Sequence, residues 1–262
     1  VDIQNAMIYR LHPESGERRN WPLETEIGSI GLGPDGKLIC GLRMGLAWFD
    51  FETGEIEVIA DPEGDKQWNT IRLNDGKVDR AGRYWCGSME DPGQGPKGTL
   101  YRFDADGNSK AMLTDIQVPN AICWSPDNSV MYFADTREDR IRAYDFDLAA
   151  GEISNERIFV DLADVEGHPD GATVDAEGYL WSAQIYGGRV ARYAPDGTLD
   201  RVVEIPTPLV TCCAFGGTNM DTLYVTTASF RMDREALAAD PLAGKTFAID
   251  VGVKGLAGPC FG

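Results

Sequence analysis

Along most of this chain apolar residues alternate with polar ones in short runs broken by Gly, Pro, Asp and Asn, the period-two pattern of half-buried strands. Five runs share one layout: a short apolar strand, a tight turn rich in Asp, Asn or Gly, then a second strand centred on a large residue. They read "IGLGPDGKLICGL", "GKVDRAGRYWCGS", "AICWSPDNSVMYFAD", "ATVDAEGYLWSAQ" and "CAFGGTNMDTLYVTT". Their centres, Ile39, Trp85, Tyr132, Trp181 and Tyr224, are 43 to 49 positions apart. The turn residues accept positive φ or bond their own backbone.

Each of the first four is followed by another hairpin: "GLAWFDFETGEIEVI", "GTLYRFDADGNSKAML", "RIRAYDFDLAAGEISNERIFV" and "GRVARYAPDGTLDRVVEI". Two strands plus two strands in about 45 residues is the blade of a β-propeller. The second type also occurs as "NAMIYRLHPESGERRNW" at the start and "KTFAIDVGVKGLAG" at the end. That makes six second hairpins against five complete first ones, with "VDI" at the start reading as the tail of a sixth. The expectation is an all-β, six-bladed β-propeller with a central channel, one domain over residues 1–262. Its first blade is incomplete at the N-terminus, the opening strand lying upstream of residue 1. No helical period of useful length appears beyond a turn near "DREALAAD".

Composition narrows the partners. The formal charge is −18, from 42 acidic and 24 basic residues. Such a field repels nucleic acid and anionic membrane, which need clustered Lys and Arg. It also suits a site that attracts a cation, although solubility alone is the simpler account of it. No apolar run approaches the roughly 20 residues of a bilayer span, and no basic stretch followed by an apolar one opens the chain. The expectation is a cytoplasmic protein, monomeric or weakly homo-oligomeric, with neither nucleic acid nor membrane as partner. Six cysteines show no C-x-x-C spacing, and several lie in apolar strand-like runs, so reduced and mostly buried thiols are expected.

Aligning the repeats on their turns singles out one position. Asn74 precedes Asp79 by five residues, Asn120 precedes Ser125 by five, and Asp170 precedes Asp175 by five. The same place holds Gly28 and Cys212 in the other two repeats, and the sixth falls in the segment upstream. The first strand of each propeller blade lines the central channel, so these oxygen-bearing side chains would converge at one mouth. Strand-entry capping explains any one of them; three at one repeat offset point to a hard divalent cation held by oxygen.

The segments "RLNDGKVDRAGRYWCGSM", "VPNAICWSPDNSVMYFADT", "HPDGATVDAEGYLWSA" and "FAIDVGVKGLAGPCF" resemble the family of gluconolactonase, senescence marker protein and luciferin-regenerating enzyme, along essentially the whole chain. The resemblance implies a six-bladed propeller binding one divalent metal (Ca, Zn, Mg, Mn or Fe(II)). It implies metal ligands at Asn120 of a P-N-G-like motif and Asp170 of a P-D-G motif, with a further Glu ligand expected upstream of residue 1. It places substrate-contacting residues at Arg72 and Asn74 of R-x-N-D-G. Two departures stand out: Ala121 replaces the P-N-G glycine, and "DPGQGPKGTLY" replaces an acidic residue that some members carry before the G-x-L-Y strand.

The chemistry implied is hydrolysis of a sugar-acid lactone such as glucono-, arabinono- or xylonolactone, with Asp170 also the catalytic general base. The alternative is a non-catalytic metal-binding propeller acting as regulator or scaffold. His12 and His168 are the only histidines, too few for a confident Ser/His/Asp triad. His168 stands beside Asp170, as a functional group or as a loop histidine. Asp75 reads as a strand-entry group, Lys77 as an ion-pair partner, and Trp85 and Trp181 as core. The stretch "EDPGQGPKG" is long for a hairpin loop and suits a lid.

Overall fold

The alternating runs become strands, and the Gly, Asp and Asn clusters between them become turns. In the computed structural model, residues 1–64, 70–91 and 95–262 are described. The chain falls into two compact units. The first comprises Val1–Pro119, Leu148–Glu152 and Gly258–Gly262; the second comprises Asn120–Asp147 and Ile153–Ala257.

In the first unit β1 (Met7–Leu11) and β2 (Arg18–Pro22) form a two-stranded sheet. A four-stranded meander follows: β3 (Ile27–Leu32), β4 (Leu38–Leu42), β5 (Gly45–Phe49) and β6 (Ile56–Ala60). The next contains β7 (Ile71–Val78), β8 (Tyr84–Glu90), β9 (Gly98–Phe103) and β10 (Ser109–Ile116).

The second unit begins with β11 (Pro119–Trp124), β12 (Val130–Asp135), β13 (Arg140–Asp147) and β14 (Glu152–Asp161), whose end residues Pro119 and Glu152 are counted with the first unit. It continues with β15 (His168–Val174), β16 (Leu180–Ile185), β17 (Arg189–Tyr193) and β18 (Leu199–Glu204). A three-stranded sheet of β19 (Val210–Gly216), β20 (Thr222–Thr227) and β21 (Thr246–Asp250) completes it.

Antiparallel meanders in sequence order are propeller blades, and the fold is an all-β propeller. The helix α1 (Arg234–Ala239) lies where "DREALAAD" suggested a turn. The Asp233 carboxylate caps it by accepting from the N–H groups of Glu235 and Ala236. Among the described residues no helix is long and apolar enough to cross a membrane.

Two segments differ from the sequence reading. The expected closing hairpin forms only its first strand, β21. Asp250 then turns the chain by accepting from the N–H of Gly252, which sits at φ 72°. The following residues bond to turns instead: Ala176 N–H donates to the Lys254 carbonyl and Gly255 N–H to that of Met220, both at 2.8 Å. At the start, "VDI" forms no strand, because Asp2 bridges Met7 and accepts from both the backbone and side-chain amides of Asn5. Of the proposed lid, residues 92–94 lie outside the described residues.

Two turn aspartates do more than punctuate. The Asp79 carboxylate accepts from the backbone of Ala81 and Arg83, from Arg83 Nε and from Trp85 Nε1. Asp175 repeats the arrangement with Glu177, Tyr179, Trp181 Nε1 and the Arg192 guanidinium. Both carboxylates are buried, so this satisfaction is what makes them tolerable. The indoles they hold are fully buried. Trp181 packs among Ala183, Val190, Val225 and other apolar residues. Each buried aliphatic or Phe side chain contributes about 1.5–3 kcal/mol.

None of the six cysteines is in a disulfide. Burial pushes the Cys40 and Cys86 thiols up to about 12, which leaves them inert.

Candidate active site

Two of the three aligned polar positions, Asn74 and Asp170, fall where the strand ladders break. Pairing shifts register between Ile27 and Ser29 in β3, between Leu73 and Gly76 in β7, between Pro169 and Ala172 in β15, and between Val210 and Cys212 in β19. These are β-bulges, which add one residue to a strand and re-aim its side chains. Asn74 and Asp170 occupy such bulges. In β11, Ala121, fully buried next to Asn120, takes the left-handed φ of 58° that a glycine adopts more readily. At Gly28, Asn74 and Asp170 the repeat offset read from the sequence is therefore a backbone irregularity.

In the first unit Arg72 and Asn74 meet directly. Arg72 Nη1 donates to Asn74 Oδ1 at 2.7 Å and to the Leu73 carbonyl at 3.2 Å. Its Nε donates to Asp91 Oδ2 at 2.7 Å. Asn74 Nδ2 donates to the carbonyl of Pro119 at 2.9 Å, the residue that precedes Asn120 in the chain. Both side chains are buried. Asp91 is shared with Arg43, whose Nη2 donates to the same Oδ2 at 3.1 Å. Arg43 also grips Glu26 with Nε at 2.8 Å and Nη2 at 3.1 Å. That contact holds the Glu26 carboxyl below its ordinary value and pushes the guanidinium of Arg43 up. Sequence reasoning missed Glu26, Arg43 and Asp91, which sit in turns with no repeat offset.

In the second unit Asn120 and the segment bearing Asp170 are joined through Thr136. Asn120 Nδ2 donates to Thr136 Oγ1 at 2.8 Å, and that hydroxyl donates to the Pro169 carbonyl at 2.7 Å. Asp170 Oδ1 accepts from Gly171 N–H at 2.9 Å, and Asp75 makes the same bond to Gly76 in β7. His168 opens β15, half-buried, with Nδ1 against Asp139 Oδ1 and its ring edge-on to Tyr186. Thr136 too escaped the sequence reading, as the last residue of "YFADT".

The donor set suits a hard cation. The Asn120 nitrogen is committed to Thr136, and Asn120 and Asp170 carry the amide and carboxylate oxygens that such a cation takes. Among the described residues no three His, Cys, Asp or Glu side chains gather to hold a metal. Water, backbone or substrate oxygens would have to complete the shell.

The family model described as "SMP-30/Gluconolactonase/LRE-like region" matches residues 1–229. The chain belongs to the SMP-30/gluconolactonase/LRE-like family. Its relatives in this family extend along the whole chain. A 6-deoxy-6-sulfogluconolactonase from Pseudomonas putida is 36% identical, covering 100% of this chain and 89% of the relative. An L-arabinolactonase from Azospirillum brasilense is also 36% identical, over 98% of this chain and 85% of its own. A solved structure titled as a calcium-binding protein, regucalcin, from Agrobacterium tumefaciens superposes with a TM-score of 0.94 at 32% identity. It covers 99% of this chain and 87% of that one.

Proposed function

We propose that this chain hydrolyses the lactone of a sugar acid, an aldonolactone such as glucono-, arabinono- or xylonolactone, to the free acid. In this reading the sheets are six blades of one propeller, and Asn120 and Asp170 hold one divalent cation. The single observation that carries it is the coincidence of bulge and chemistry. The irregular positions of β7 and β15 bear Asn74 and Asp170, in a chain 36% identical to relatives named as lactonases.

When bound, the cation supplies a Lewis acid that polarises the ester carbonyl and offsets the negative charge developing on it. The side chains supply position and proton movement. Arg72, fixed on two sides by Asp91 and Asn74, offers Nη2 to a hydroxyl or carbonyl oxygen of the ring. Asn74 holds Arg72 and the backbone before Asn120 together, so it acts on substrate largely through its neighbours. Asp170 takes a proton from the water that adds to the carbonyl carbon. The ring C–O bond then breaks, and the proton returns to the departing oxygen as its hydroxyl.

The test is pH-stat acid release from a panel of five- and six-carbon lactones, with and without chelator. Cation-dependent release from at least one lactone is expected, and Asp170→Ala should abolish it. No cation-dependent release from any lactone would favour the second reading, a non-catalytic cation-binding regulator or scaffold, which the likeness to a calcium-binding regucalcin from Agrobacterium tumefaciens supports.

A further inference from the structure

Arg72 is the one guanidinium assigned to substrate, and its surroundings limit what it can recognise. A guanidinium grips an anion with a fork of two parallel N–H groups, through either its Nε side or its Nη1/Nη2 end. In Arg72 both forks are broken. Nε is taken by Asp91 Oδ2 at 2.7 Å, and Nη1 by Asn74 Oδ1 at 2.7 Å and the Leu73 carbonyl. Of the three Arg72 nitrogens, Nη2 is the one with no hydrogen-bond partner among the described residues.

Charge follows the same pattern. Arg72 and Arg43 face Asp91 and Glu26 in one connected group, so the four formal charges cancel. The Arg72 side chain is 10% exposed and Asp91 34%. A group arriving at Nη2 therefore meets a more accessible carboxylate beside a neutralised cation. An anionic substituent would gain one N–H bond and be repelled by Asp91 in a partly desolvated setting. A neutral hydroxyl or carbonyl oxygen takes the same bond without that repulsion.

We infer that Asp91, anchored by Arg43, is a positioning and specificity-determining residue that reduces Arg72 to a single neutral-oxygen donor, so that the enzyme selects uncharged lactones over lactones bearing a carboxylate, phosphate or sulfonate. The inference rests on the lactonase reading and deepens it. It sets this chain apart from a relative whose name denotes a sulfonated substrate.

The experiment compares acid release from glucono-δ-lactone, arabinono-γ-lactone and xylono-γ-lactone with release from 6-phosphogluconolactone, for the wild type, Asp91→Asn and Asp91→Glu. The wild type is expected to favour its best neutral lactone in kcat/KM by roughly tenfold or more. Asp91→Asn removes the repelling charge and unbalances Arg72, so it should shift the ratio toward the phosphorylated lactone by roughly tenfold. Asp91→Glu should keep the neutral preference. A merely structural role would lower all rates together and leave the ratio alone. Equal or reversed preference in the wild type, or an unchanged ratio in a folded Asp91→Asn, overturns the inference. The wild-type ratio decides by itself if that variant does not fold. Release from no lactone at all removes the lactonase reading and this inference with it, an outcome distinct from activity without selectivity.

Discussion

Arg72 and Asn74 form one unit: the guanidinium donates to the amide oxygen at 2.7 Å, and the amide nitrogen donates onward to Pro119 at 2.9 Å. Asn74→Ala breaks both bonds and leaves buried groups unpaired. Hydrogen bonds to charged groups contribute about 1.5–3 kcal/mol and neutral ones about 1 kcal/mol. The variant should lose about 2–4 kcal/mol of stability in urea unfolding. Its lactone kcat/KM should drop on the order of a hundredfold, because Arg72 loses its direction. Full activity in Asn74→Ala would remove Arg72 from substrate positioning.

Thr136 fixes the nitrogen end of the Asn120 amide. Thr136→Val keeps the shape and removes the hydroxyl that accepts from Asn120 and donates to Pro169. Calorimetric titration of the metal-free protein with Mn²⁺ or Ca²⁺ should show affinity weakened roughly ten- to a hundredfold. Thr136→Ser should stay near wild type. Equal affinity in all three proteins would release Asn120 from the ligand role.

Two small residues, Gly28 in the β3 bulge and Ala121 beside Asn120, should respond in opposite directions. A Cβ on Gly28 would stand 2.5 Å from the Leu73 carbonyl oxygen and 2.6 Å from that of Asn74, both rigid backbone. Gly28→Ala should therefore cost about 1–3 kcal/mol and lower activity by moving Asn74. Ala121→Gly should relieve a left-handed residue that costs about 1–2 kcal/mol, against about 0.8 kcal/mol for the buried methyl lost. The net is a gain of up to about 1 kcal/mol, read as a higher melting temperature.

Acid should weaken the fold through carboxyls held below their ordinary values. Arg43 does this to Glu26, Lys110 to Glu152, and the Ser125 hydroxyl to Asp127. For each, the folded pKa lies below the unfolded one, so the unfolded chain binds more protons as pH falls. The stability they add is present above the unfolded values of 4.5 and 3.8 and is lost as pH falls through the lower folded values. Urea midpoints should be nearly flat from about pH 7 to about pH 5 and fall below about pH 4. Midpoints that rise toward acid would contradict these pairings.

The blades were legible because each repeats one local code. The aspartate-to-indole ties were present in the sequence as well, as Asp79 and Trp85 or Asp175 and Trp181, six residues apart. They read as a turn and a core residue, since nothing local says that a turn carboxylate will reach an indole. Asn74, Asn120 and Asp170 stood out in the sequence because a shared repeat offset is a tertiary signal written in one dimension. Arg43 and Asp91 were not, because their contact joins turns 48 residues apart with no repeat to mark either. The closing strand failed for a similar reason. "VGVKGLAG" has strand-like alternation, but the Asp250–Gly252 turn and bonds to distant turns win the backbone.

Because the side-chain period of a strand is two, the extra residue at each bulge resets the in–out parity of everything beyond it. The apolar half of β7 or β15 can keep its pairing while the residue at the insertion changes. Substitution at the insertion leaves the register of the strand in place and costs only the bonds of the residue changed, as at Asn74. The tolerance ends where two backbones already touch, as at Gly28, so variation there is closed while neighbouring blades remain open to it.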